Sequence, residues 1–169
     1  MNLRPFRSHR GFTLIEALVV TTMVGVLLAI AAPSFVTFTA TQKVKTASFD
    51  LYAALLFARS EAIKRRQNVT ITPLSADWKN GWTVNTLVGG VDTNLRTQDP
   101  LSGVVLSNDT ASVVYRLDGR ITAGSVVKIL IQPQTAHDSI SNRCVRVDLT
   151  GLPKTTTVPP TTTTSAQCP

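Results

Sequence analysis

The chain has 169 residues, 43% hydrophobic and 16% charged, which supplies one packed domain plus an extension and excludes a wholly disordered chain. Its formal charge of +7 points to an acidic partner only until it is divided. Arg4, Arg7 and Arg10 precede Gly11, a chain starting at Phe12 carries 14 basic residues against 10 acidic, and from residue 67 onward the balance is eight to seven.

Residues 1–11 are basic and acid-free, and the polar-to-apolar border falls at Gly11-Phe12. After the apolar run the chain has no A-x-A character beyond Ala31-Ala32, so Gly11-Phe12 is the better boundary than a secretory cleavage site. The basic leader is expected to stay cytoplasmic by the positive-inside tendency. Residues 17–32 carry no charge, yet Glu16 stands at their edge between Ile15 and Ala17. An ionised side chain in hydrocarbon costs on the order of 2–3 kcal/mol. Such a carboxylate requires a partner.

One helical pattern runs from Phe12 to about Arg66. It is apolar nearly all round to residue 32, and Pro33 is expected to kink it. Beyond Pro33 the pattern is one-sided, with Phe49, Tyr52, Leu55, Leu56 and Ile63 at helical spacings and Lys43, Lys45, Arg59 and Glu61 polar. Ala58, Ala62 and Leu55 read as packing on a sheet. Glu61 and Arg65 stand at i, i+4, and Lys64-Arg65-Arg66 would close the helix where cations complement its dipole.

After Asn68 the period becomes two. Val69 and Ile71, then Val113, Tyr115 and Leu117, then Val127, Ile129 and Ile131, then Val145, Val147 and Leu149 alternate with polar or outward positions. Asn80-Gly81, Gly89-Gly90, Asp118-Gly119 and Thr150-Gly151 mark turns, with Trp78 and Trp82 flanking the first. The expectation is an α+β fold in which the amphipathic half of the helix covers an antiparallel sheet. Residues 155–167, TTTVPPTTTTSAQ, read as a polyproline-like extended tail. Cys144 and Cys168 are an even pair behind a membrane-directing N-terminus, which suggests a disulfide tethering that tail. Two unrelated buried thiols are the alternative.

Enzymatic chemistry finds little support. His9 lies in the leader and only His137 remains, so neither a Ser/His/Asp nor a Cys/His set nor a metal-ligand cluster can be drawn, and no cofactor is expected.

The basic leader, Gly11, Phe12 and "TLIE" opening an uninterrupted apolar run resemble the type IV pilin signal shared by pili and type II secretion pseudopili. "FDLYAALLFARSEAIKRRQNVTI" followed by "DWKNGWTV" is similar to the GspH/FimT family of minor pilins and pseudopilins. The C-terminal layout looks most like its FimU-like members. The resemblance implies a pilin-like fold, cleavage after Gly11 by a prepilin peptidase, and N-methylation of Phe12. It further implies pairing of Glu16 with a neighbouring N-terminal amine as a register device, and helix softening at Gly25 and Pro33. The organisation expected is a cleaved leader (1–11), a membrane and filament-core helix (12–41), a globular head (42–154) and a Thr/Pro tail (155–169). Expected partners are other pilins or pseudopilins, the peptidase and inner-membrane lipid, with the head in the periplasm before assembly at a pilus or pseudopilus tip. Minor pilin of a type IV pilus leads, with minor pseudopilin H of type II secretion as the alternative. DNA uptake ranks last: the basic Gly-Arg-x-Arg element of DNA-binding FimT-like members is replaced by Gly151-Leu152-Pro153-Lys154, leaving Arg143, Arg146 and Lys154 as weak DNA-contact candidates.

Overall fold

The computed structural model describes residues 11–108, 110–122 and 126–169. One helix, α1 (Leu14–Arg65), continues through Pro33, so proline does not end it. The chain divides into two compact units, Met1–Val36 and Thr37–Pro169. The first holds the N-terminal part of α1.

The second unit contains the rest of α1 and eight strands: β1 (Val69–Pro73), β2 (Trp82–Val88), β3 (Val91–Gln98), β4 (Val104–Asn108), β5 (Val113–Tyr115), β6 (Val127–Pro133), β7 (Asn142–Val147) and β8 (Pro153–Val158). They form two four-stranded sheets rather than one, ordered β3-β2-β1-β5 and β4-β6-β7-β8, with every pairing antiparallel. The period-two positions Val69, Ile71, Val113, Tyr115, Val127, Ile129, Ile131, Val145 and Val147 are buried. Leu117 and Leu149 break the expectation: each falls past its strand and is about half exposed.

The helix face differs more. Val44, Ala47, Leu51, Ala54, Leu55, Ala58 and Ala62 are buried and join residues of both sheets in one core. Phe49 and Ile63 are exposed, and Tyr52 and Leu56 are half-buried. Where a helix meets two sheets at once, the space favours alanine over larger side chains, because approach distance follows side-chain size. α1 ends in a Schellman motif, Gln67 N–H donating to Ala62 O (3.3 Å) and Arg66 N–H to Ile63 O (3.4 Å). Arg66 takes the left-handed position, φ 53°, that glycine normally fills. Glu61 accepts from Arg65 Nε at 2.5 Å, with Lys64 Nζ at 3.6 Å. That Arg65 hydrogen bond is the main cause holding its carboxyl below the usual range.

The C-terminal segment is not a polyproline-like strand laid outside the fold. Residues 153–158 are β8, paired with β7 from Val147↔Pro153 to Asn142↔Val158. β-Branched Thr155-Thr156-Thr157 suit a pleated sheet, and Pro153 sits at the strand's first position, where proline is tolerated. A 3-10 turn, Ser165–Gln167, follows, closed by a capping box between Thr164 and Gln167. The Cys144–Cys168 disulfide is formed, with Cα atoms 5.9 Å apart. Leu130, Cys144, Val158 and Cys168 make a second small core. Around it Asn142 Nδ2 and Gln132 Nε2 donate to Thr162 O (2.8 and 3.0 Å), and Lys128 Nζ donates to Cys168 O (2.6 Å). The tail is a cover over the second face of β6-β7-β8.

Two turns need glycine. At Gly81 (φ 89°) a Cβ would lie 2.1 Å from Gln98 O, and at Gly151 (φ 80°) 1.9 Å from Gly119 O. Before Gly151, Asp148 accepts from Thr150 N–H (3.1 Å) and from the Thr150 hydroxyl, and Lys154 Nζ lies 3.9 Å away. The Thr150 hydroxyl bond is the largest cause holding the Asp148 carboxyl below the usual range.

Trp78 and Trp82 are the chain's two tryptophans and both are buried in the second unit, so fluorescence of the full chain reports its unfolding. Reduction, or Cys168→Ser, is expected to destabilise that unit by roughly 3 kcal/mol in the chain-entropy model. The melting temperature should fall on the order of 10 °C, and protease should trim the tail first. An unchanged melting curve would show that the polar contacts to Thr162 and Cys168 hold the tail alone. Asp148 has a lowered folded-state pKa, so the unfolded chain binds more protons. Its stabilisation is full above the unfolded value of about 3.9 and fades as pH falls through the folded one. Asp148→Asn should cost about 1 kcal/mol at neutral pH and flatten the acid limb of the melting-temperature profile, measured by the same fluorescence.

Candidate functional site

At the start of α1, Thr13 is the N-cap: its Oγ1 accepts from Glu16 N–H (3.2 Å) and its carbonyl from Ala17 N–H (3.1 Å). Glu16 therefore holds the third helical position, where a carboxylate complements the positive end of the helix dipole. Sequence reading missed this local role, although T-x-x-E is its signature. Thr21 and Thr22 interrupt the apolar run but return their hydroxyls to the helix. Thr21 Oγ1 donates to Ala17 O (2.9 Å) and Thr22 Oγ1 to Val19 O (2.8 Å), which satisfies them without water.

Every residue from 11 to 32 is exposed within the single chain. α1 is long and apolar enough to cross a membrane, and a helix apolar all round needs lipid or other helices around it. A Cβ added at Gly11 or Gly25 would meet nothing within 4 Å among the described residues, so neither glycine packs against them. The remainder of the leader, with His9, lies outside the described residues.

The three cationic candidates near the C-terminus do not share one face. Arg143 and Arg146 differ by three positions on β7 and project from opposite sides of the sheet. Arg146 stands in cross-strand register with Lys128 and Lys154, and its Nε is buried without a hydrogen bond among the described residues. Arg143 instead lines a groove of about 720 Å³ with Lys45, Phe49 and Tyr52 of α1 and with Lys154 of β8. Like charges set directly across strands repel. Asp148 offsets this at Lys154, and the Cys168 carbonyl does so at Lys128. His137 is exposed in the loop before β7, with Ser139 Oγ 3.2 Å from its Nδ1.

Residues 6–32 match the prokaryotic N-terminal methylation motif, and residues 47–151 match the family described as type II transport protein GspH. A Pseudomonas aeruginosa fimbrial protein is 27% identical over 125 residues, 73% of this chain and 79% of that one. The crystal structure of the P. aeruginosa type IV minor pilin FimU superposes with a TM-score of 0.59 at 20% identity, covering 74% of this chain and 95% of that one. The minor pseudopilin EpsH of the Vibrio cholerae type 2 secretion system superposes with a TM-score of 0.54 at 14% identity, covering 71% and 99%. The chain belongs to the GspH family, whose members are pilin-like structural subunits, and is a minor pilin or pseudopilin with a methylation-type N-terminus.

Proposed function

We propose that this chain is a FimU-like minor subunit of a type IV pilus, held by its apolar helix in the inner membrane with residues 37–169 in the periplasm until assembly. The observation that carries the pilus over the secretion pseudopilus is the 27% identity to a fimbrial protein across most of the chain. A minor pseudopilin of type II secretion is the second reading, favoured by the GspH match over residues 47–151. A DNA-uptake role is not proposed, because Gly151-Leu152-Pro153-Lys154 lacks both arginines of the basic element of DNA-binding FimT-like members, and the remaining Arg143 and Arg146 project from opposite faces.

In this reading the peptidase cuts between Gly11 and Phe12 and the new amine is methylated. Glu16 then meets an amine at its own depth when the helix joins the filament at the right stagger. A wrong stagger leaves the carboxylate unpaired in a low-dielectric core, which is strongly unfavourable. Gly25 and Pro33 weaken the helix where bending during assembly would be concentrated.

Mass spectrometry of the membrane-extracted protein should show an N-methylated Phe12 at the N-terminus. An intact leader in a host with active peptidase would overturn the processing step. Glu16→Ala should insert into the membrane as well as the wild type while its recovery with sheared filaments falls at least about tenfold, equivalent to 1.4 kcal/mol. Deletion of the chain in its native host separates the two systems: loss of surface pili with normal secretion supports the pilus, and the converse supports the pseudopilus.

A further inference from the structure

α1 turns Phe49 away from the core, 68% exposed, and leaves Tyr52 beside it half-buried. Single exposed apolar residues need no explanation, but two aromatics lining one groove mark a contact surface. The opposite wall is β8, through Lys154, Thr155 and Thr156. β8 is the last strand of its sheet, paired with β7 on one side only. It presents a row of main-chain donors and acceptors along its free edge. Pro153 and Lys154 guard one end of that edge. The Thr155-Thr156-Thr157 stretch does not, and it has high strand propensity.

The geometry of a sheet says what fits there. α1 covers the face of the sheet that carries Val145 and Val147. A strand added about 4.8 Å beyond β8 would continue that face, and its inward side chains would lie on Phe49 and Tyr52. The charged groups lining the groove are Lys45, Arg143 and Lys154, with no carboxylate among the lining residues. The nearby Asp148 is engaged with Thr150 and Lys154. A second copy is poorly matched, since residues 37–169 hold fourteen Lys/Arg against nine Asp/Glu. Single-stranded nucleic acid could use the cations and aromatics, but would leave the β8 main chain unpaired.

We propose that the groove between α1 and the edge strand β8 receives an extended, acid-bearing strand of another pilin-class subunit. The strand pairs with β8 through the main chain, seats apolar side chains on Phe49 and Tyr52, and faces its carboxylates toward Lys45 and Arg143. Edge-strand addition with side-chain pockets is an established mode of peptide recognition. The inference rests on the minor-subunit reading and names the partner's chemistry at one surface.

The test places a benzophenone amino acid at Thr156 and, separately, at Tyr52 in the full chain, in the native host membrane. Both probes should crosslink to a pilin-class subunit, with the attached peptide mapping to an extended acid-bearing segment. Phe49→Ala and Lys45→Glu should each lower the Thr156 crosslink about tenfold while tryptophan-detected melting stays unchanged. Crosslinks to nucleic acid, to lipid, to a second copy alone or to a protein of another class overturn the proposal, as does the absence of any crosslink. Co-isolation with filament subunits is scored separately. Normal co-isolation with an empty groove removes the added strand and leaves the minor-subunit reading, whereas loss of co-isolation removes both.

Discussion

The second unit depends on a single helix face that closes two sheets at once. Val44, Ala47, Leu51, Ala54, Leu55, Ala58 and Ala62 meet residues of both sheets in one continuous core. Four of these seven are alanine, and Leu51 and Leu55 fill the wider part of the space, both fully buried. A larger side chain at Ala58 or Ala62 would force shifts costing about 1–3 kcal/mol. The same closeness brings the Asp118–Arg120 turn against the helix, where Arg59 Nε donates to Gly119 O at 3.1 Å. A Cβ at Gly119 would lie 2.7 Å from Ile63 Cδ1. Phe49 and Ile63 are left exposed on the flanks of the helix, while Leu51 and Leu55 are buried. The groove at Phe49 and Tyr52 follows from this arrangement.

The two sheets solve the problem of their second faces differently. β3, at the edge of one, is exposed along most of its length, as an antiparallel sheet allows. β6, central in the other, is buried at five of its seven positions. The tail makes the difference. Its disulfide brings Cys168 onto Leu130 and Val158, and the buried Asn142 donates to Thr162 O beneath it. β6 is thus largely buried, whereas β8, at the free edge of the sheet, keeps Lys154, Thr156 and Thr157 exposed.

How much of this was legible in the sequence varies with the kind of signal. The long helix, the strands β1, β5, β6 and β7 and the cysteine pair were readable because period and spacing are intrinsic to the chain, whereas β2, β3 and β4 carry no clean alternation and were not read. The buried stripe of α1 was only half readable. Leu55, Ala58 and Ala62 are buried as read, whereas Phe49 and Ile63, chosen with them by helical spacing, are exposed, because which flank the two sheets cover is tertiary. The tail was misread because Thr/Pro composition suggests extended, unpaired chain. Its threonines are also good strand residues, and only the neighbouring β7 decides between the two. Of the candidate cations, alternation on β7 could have separated Arg143 from Arg146. The groove could not have been found, since it depends on which helix residues the core rejected.

In the proposed register role, Glu16 would serve two successive environments. In the single chain it sits in the first turn of α1, its main-chain N–H held by Thr13 and its charge placed at the positive end of the helix. That local setting lessens the cost of carrying a charge into lipid before any partner is present. Cleavage before Phe12, as proposed, would add an amine four residues away, and a neighbouring chain would bring another. The amine of a correctly staggered neighbour must therefore compete with a pre-existing local stabilisation rather than rescue a bare charge. If Glu16 sets the register, as proposed, the free energy that selects it is the difference between these two settings. On that proposal it is smaller than the full cost of burying a carboxylate with no local stabilisation.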